Sequence, residues 1–328
     1  MATQKKSTSK KKATKKKSTA KKKSTARKKS GTRKKSTKKK STAKKKSGTK
    51  KTSASGKKYV YFFGPGKSEG KADMKQLLGG KGANLAEMSN LDIPVPPGFT
   101  ISTEACEKYY DLGPDKLFDL VKSQIDTAMK KVEKATDKEF GSQDNPLLLS
   151  VRSGAAVSMP GMMDTVLNLG LNDATVEAMI EKTGNERFVL DSYRRFIQMF
   201  GDVVKGIEYE KFEHELEAVK NAKKVELDTD LDSDDLREVI KRYKAVFQKA
   251  IGASFPTEPM AQLKQSVNAV FGSWNNPRAV RYRQLNEIRG LLGTAVNVQT
   301  MVFGNSGTNS ATGVAFTRDP STGAKKYF

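Results

Sequence analysis

Apolar residues recur along this chain in two distinct periods, and they are almost missing from its beginning. Tyr59–Phe63 is a short aromatic and β-branched run that predicts a strand, and Phe99–Ser102 predicts a second. Between them Leu77–Asn90 reads as a glycine-rich turn entering a helix, which Ile93-Pro94-Val95-Pro96-Pro97-Gly98 must break. Leu117, Leu120, Val121, Ile125, Ala128, Met129 and Val132 share one face of a long helix, and Leu147–Val151 predicts a buried strand. A helical stretch follows. Arg187–Phe200 carries one apolar face, and from Leu236 the apolar positions recur at +3, +4, +7, +10, +11 and +14. Ser233 is the expected N-cap of that helix, with Asp234 and Asp235 in its first turn. Ala295–Phe303 then alternates as a strand. Gly304–Gly313 reads as a mobile loop and Thr312–Thr317 as a returning strand, together predicting a hairpin.

Charge divides the chain more sharply than hydropathy does. Of 61 Lys+Arg, 27 lie in residues 1–58, which hold no Asp or Glu; the other 270 residues carry 34 bases against 36 acids. The net charge of +25 therefore belongs to a tail. Residues 5–50 repeat units such as Lys21-Lys22-Lys23-Ser24-Thr25-Ala26 with no hydrophobic period, so the tail is expected to be disordered and self-repelling. Residues 5–58 would attract a polyanion non-specifically, without base stacking, because no aromatics are interleaved before Tyr59; a solubilising extension is the bland alternative. A single cysteine, Cys106, excludes a disulfide framework and fits a reducing, cytoplasmic setting. No run of 18 apolar residues predicts a membrane span.

Several motifs tempt and fail. Gly64-Pro65-Gly66-Lys67-Ser68 lacks the spacing of a phosphate loop. Asp228-x-Asp230-x-Asp232 lacks the glycine and the final glutamate of a calcium loop and reads as a solvated helix start. His214, the sole histidine, reads as an exposed structural residue. Two stretches survive. Gly79-Gly80-Lys81-Gly82-Ala83-Asn84 opens a helix, where backbone amides favour anions and Lys81 adds a mobile cation; a plain turn accounts for it equally well. Ser150-Val151-Arg152-Ser153-Gly154 ends an apolar strand on an arginine suited to bidentate phosphate contact, or to a surface ion pair. Met159-Pro160-Gly161-Met162-Met163-Asp164 is a flexible methionine loop that core packing alone would not favour.

These stretches together resemble the N-terminal nucleotide-binding region of the pyruvate, phosphate dikinase family. The resemblance is carried by Leu77–Met88, Pro96–Ser102, Pro146–Gly154, Ser158–Asp173, Asp191–Met199, Ser273–Arg278, Gly293–Gly304 and Thr312–Gly323. It runs from Tyr59 onward, and the SMPGMMDTVLNLGLND run sets the chain apart from phosphoenolpyruvate synthase and glucan-water dikinase. It implies a mixed α/β, ATP-grasp domain over 59–328 with a helical insert at about 175–290. The implied activity converts ATP, phosphate and pyruvate to AMP, pyrophosphate and phosphoenolpyruvate through a phosphohistidine on a separate domain, with Mg2+ as cofactor. Lys81 and Arg152 correspond to a phosphate-binding pair and Arg195 to a further cation for the triphosphate or inorganic phosphate. Gln299, Met301 and Val302 fall at the adenine hinge, and Thr312 in a glycine-rich contact loop. The family's acidic metal ligands lie beyond Phe328, as do the phosphohistidine and pyruvate domains. On this reading the chain is a C-terminally truncated piece, inactive alone, that meets ATP and phosphate; relatives often form homodimers, which leaves a homodimer open for this chain. The alternative is a non-catalytic nucleotide-binding module tethered by its tail to nucleic acid or another polyanion.

Overall fold

The computed structural model describes residues 56–328; the expected disorder and polyanion contact of the tail lie almost wholly outside them. The fold is mixed α/β. Five strands form one antiparallel sheet: β1 (Val60–Phe63), β2 (Gly98–Ile101), β3 (Leu149–Gly154), β4 (Thr165–Leu169) and β5 (Ala295–Thr300). Their order is β1-β2-β5-β3-β4, so the last strand in sequence is the central one. It pairs with β2 (Phe99 opposite Val298, Thr100 opposite Asn297) and with β3 (Val151 opposite Val298, Arg152 opposite Asn297). Period-two alternation puts Val296 and Val298 on one face of β5 and Asn297 and Gln299 on the other. All four are buried, so both faces of the sheet centre are covered.

On the Asn297 face lies α1 (Lys75–Asn90), whose Gly82 approaches Thr100 and Asn297 directly. Helices α2 (Thr103–Leu112) and α3 (Pro114–Thr136) follow β2, and α3 buries Leu117, Val121, Ile125 and Val132 of the predicted stripe, while Leu120 faces outward at 43% exposure. After β4 come α4 (Asp173–Thr183), α5 (Glu186–Met199), α6 (Tyr209–Lys223), α7 (Ser233–Ile251), α8 (Pro259–Gly272) and α9 (Pro277–Leu285). Their core is aromatic. The ring of Phe255 meets those of Tyr193, Phe196, Phe200 and Phe247 edge-on, with centroids 5.3–6.3 Å apart, the arrangement favoured by ring quadrupoles.

Three expectations change. The N-cap of α7 is Asp232, not Ser233: its carboxylate accepts from the Asp235 N–H at 2.9 Å, and the Asp235 side chain returns a bond to the Asp232 N–H. Asp230 and Asp232 are exposed at the helix start as expected, but Asp228, part-exposed, also pairs with the buried Arg194 at 2.7 Å. The C-terminal hairpin is also absent. Both edges of β5 are occupied by β2 and β3, so a strand returning from Gly304–Gly313 has no free edge of β5 to pair with. Residues 301–328 instead form turns, with Phe316 and Phe328 exchanging backbone hydrogen bonds of 2.9 and 3.0 Å.

Candidate functional site

The glycine turn is built for close backbone contact. Gly79 has φ 68° and ψ 170° inside α1, a conformation that only glycine adopts readily, and it breaks the helix there. A Cβ at this position would stand 1.7 Å from the Gly154 carbonyl oxygen. The Gly80 N–H then donates to the Ala155 carbonyl at 2.9 Å, so the new start of α1 is docked on the end of β3. Gly82, one residue past Lys81, packs where any Cβ would meet the Thr100 hydroxyl at 2.6 Å. That hydroxyl donates to Asn297 Oδ1 at 2.9 Å.

This docking brings two cations together. Lys81 Nζ donates to the Ser153 carbonyl at 2.7 Å. Arg152 projects from β3 on the face shared with Asn297, its guanidinium donating to Gln299 Oε1. Gln299 is held in turn by its amide, which donates to the Pro96 carbonyl at 2.9 Å. The buried Arg152 Nε has no partner. Lys81 is an exposed residue, yet desolvation of its ammonium, and then the Arg152 charge, lower its pKa. Desolvation lowers that of Arg152 as well. No carboxylate contributes to either shift. Two like charges are thus held near each other by neutral oxygens, an arrangement that leaves net positive potential for an anion.

The cleft beside Lys81 has a volume of about 690 Å³. Gly80, Lys81 and the stretch from Ser153 to Gly161 line it, with Lys75, Asn84, Met163 and Thr165 closing its sides. Asn84 belongs to the glycine turn already singled out in the sequence, whereas Lys75 and Thr165 were not singled out there. Of these two, Lys75 carried a signal, as a lysine just before the glycine turn. Asn297 also escaped, although an asparagine within Ala295-Val296-Asn297-Val298 is the one polar interruption of a valine strand.

The other candidates lie elsewhere. Arg195 is exposed on α5, its Nε donating to Asp191 Oδ2 at 2.9 Å. The same carboxylate takes Arg194 Nε at 2.8 Å on its other oxygen. The Met301 N–H donates to the Leu148 carbonyl at 2.9 Å while its side chain packs against the core. Val302 is 71% exposed and Thr312 lies on the surface. Of the sequence-predicted site residues only Lys81 lines the cleft; Arg152, Arg195, Gln299, Met301, Val302 and Thr312 do not, although Arg152 and Gln299 lie behind it on the neighbouring strands β3 and β5.

The family model for the pyruvate phosphate dikinase AMP/ATP-binding domain matches residues 75–135 and 116–328. The chain belongs to that family. It is 56% identical over 275 residues to the chloroplastic pyruvate, phosphate dikinase of Flaveria trinervia, covering 83% of this chain and 28% of that protein. It is 56% identical over 272 residues to the pyruvate, phosphate dikinase of Clostridium symbiosum, covering 83% of this chain and 30% of that protein. The chloroplastic pyruvate, phosphate dikinase 1 of Zea mays is 55% identical over 275 residues. The chain thus spans under a third of the length of the dikinases it matches. Among the described residues no helix is long and apolar enough to cross a membrane.

No group of three or more His, Cys, Asp or Glu capable of holding a metal is present among the described residues. The cleft beside Lys81 is lined by no carboxylate. Its donor set suits an anion and does not by itself fit the Mg2+ that the resemblance implies.

Proposed function

We propose that this chain is the ATP-binding part of a pyruvate, phosphate dikinase, the enzyme that makes AMP, pyrophosphate and phosphoenolpyruvate from ATP, phosphate and pyruvate. The observation that carries the reading is the Lys81–Arg152 pair, desolvated and free of carboxylate partners beside a glycine turn. Holding like charges together costs stability in the free protein, and a polyphosphate entering the cleft relieves that cost. Phosphoryl transfer needs mainly such positioning and charge stabilisation.

In this reading Lys81 and Arg152 take the phosphates, and Arg195, with its Nε already held by Asp191, offers its outer nitrogens to phosphate. Gln299, Met301 and Val302 at the end of β5 contact adenine, and Thr312 closes on the nucleotide. Mg2+ arrives with the phosphates, since the cleft supplies no acid. The phosphohistidine comes from another segment, because His214, the sole histidine, is exposed on α6 and does not line the cleft. The chain alone therefore binds ATP weakly and does not turn it over. Its single cysteine is buried and unpaired, in keeping with the cytoplasm. Calorimetric titration with Mg-ATP tests the reading: saturable binding that Arg152→Met weakens supports it, while binding indifferent to Arg152, or none, defeats it. Steady AMP formation by the isolated chain would contradict the division of labour.

The charge segregation favours a second role for residues 5–58, non-specific attachment to a polyanion. Its affinity for duplex DNA should fall steeply with salt and disappear on deletion of residues 1–55, leaving Mg-ATP binding unchanged.

A further inference from the structure

The loop joining β3 to β4 forms a wall of the cleft, and two anchors hold it. At its start, the Ala155 carbonyl accepts from the Gly80 N–H, next to Lys81. At its end, one short segment, running from the end of α8 into the first turn of α9, supplies every side-chain hydrogen bond that reaches the loop among the described residues. The Ser273 hydroxyl accepts from the Asp164 N–H at 3.3 Å while donating to the Val270 carbonyl at 2.7 Å, tying the loop to α8. Asn276 donates its amide N–H to the Met162 carbonyl at 3.3 Å, and its amide oxygen caps α9 by accepting from the Ala279 N–H at 2.8 Å. Arg278 reaches the Met162 carbonyl with Nε at 3.3 Å and pairs with the Asp164 carboxylate. Between the anchors, Ser158–Gly161 line the cleft with no long-range hydrogen bond of their own.

We propose that Ser273, Asn276 and Arg278 are positioning residues that hold the Ser158–Met163 loop over the cleft beside Lys81 so that it can close on a bound polyphosphate. The proposal rests on the ATP reading above. It gives a role to the Ser-Trp-Asn-Asn-Pro-Arg run, whose residues line no part of the cleft themselves. Arg278 acts as a two-point fork, engaging the Met162 carbonyl and the Asp164 carboxylate, which a lysine cannot reproduce. Two of the polar side chains of this segment serve two ends. The Ser273 hydroxyl and the Asn276 amide each bind the loop and a helix, so the loop inherits the rigidity of α8 and α9.

The test uses the full chain. Backbone hydrogen exchange of residues 156–163 and Mg-ATP affinity are measured for wild type, Arg278→Ala, Arg278→Lys and Asp164→Asn, with α7 as the exchange control. Loss of a charge-assisted contact should speed exchange in the loop and weaken Mg-ATP by about tenfold in Arg278→Ala, with α7 unchanged. Arg278→Lys should recover only part of either effect. Arg278→Ala combined with Asp164→Asn should be no weaker than the worse single variant, because both break one contact. Ser273→Ala, a milder change, should show the same two effects in smaller degree even if Arg278→Ala fails to fold. Unchanged loop exchange, or unchanged Mg-ATP affinity alongside binding by wild type, overturns the proposal while the ATP reading stands. Absence of Mg-ATP binding by wild type defeats the ATP reading itself, and with it the ligand role of the loop.

Discussion

Two arginines within this fold are desolvated to similar ends of opposite purpose. Arg194 on α5 is 3% exposed and answered by two carboxylates, Asp191 at 2.8 Å and Asp228 at 2.7 Å. Burial disfavours its charge, but the two acids outweigh that and raise its pKa. Arg152 on β3 meets only the neutral Gln299 oxygen, its Nε has no partner, and burial lowers its pKa. The first cation is satisfied within the protein and belongs to its architecture. The second is held in place without being neutralised, and Lys81 beside it shares that condition. A cation kept in that state is available to a ligand.

The sharpest way to break the contrast is to remove the satisfied cation. Arg194→Met leaves Asp191 and Asp228 unpaired. It should cost about 3 kcal/mol in urea unfolding, at the lower end for buried pairs because Asp228 is partly exposed. Next comes the turn that delivers Lys81. Gly79→Ala puts a Cβ into the Gly154 carbonyl at a positive φ and should cost about 2–3 kcal/mol, read as a lower thermal midpoint. Lys81→Met should behave differently. Stability should change by no more than about 0.5 kcal/mol, whereas Mg-ATP affinity should fall about tenfold or more, as expected for the loss of a charge-assisted bond.

The smallest effect is one of pH. The folded-state pKa of Lys81 is lowered by desolvation and by Arg152, so protonated Lys81 opposes folding and that penalty is relieved as pH rises through the lowered value. Bound polyphosphate favours the protonated amine. Mg-ATP affinity should therefore be level below the lowered Lys81 pKa and decline as pH rises through it, a decline that Lys81→Met should abolish.

Local chemistry was legible in the sequence where it is written locally. The strands at Tyr59–Phe63 and Phe99–Ser102, the α3 stripe and the α7 period all have local patterns, and the structure has elements there. The glycine turn around Lys81 and the strand carrying Arg152 could be read as anion chemistry, although only tertiary docking brings them together. What depended on distant pairing could not be read. Nothing in Ala295–Thr300 says that it enters the sheet between β2 and β3, and that placement removes the expected hairpin partner. The role of Ser273–Arg278 was hidden for the same reason, since its contacts lie more than a hundred residues away in sequence. Arg194 and Arg195 are neighbours of one type, and only burial separates the structural one from the exposed one.

The central claim is that Arg152 is a ligand cation and Arg194 a structural one. Thermal unfolding of wild type, Arg152→Met and Arg194→Met, each with and without Mg-ATP, tests it in one experiment. Arg152→Met should unfold at or above the wild-type temperature and lose the ATP-induced rise, while Arg194→Met should unfold far lower and, where folded, keep it. An Arg152→Met chain that is destabilised as much as Arg194→Met yet still stabilised by Mg-ATP would contradict the account.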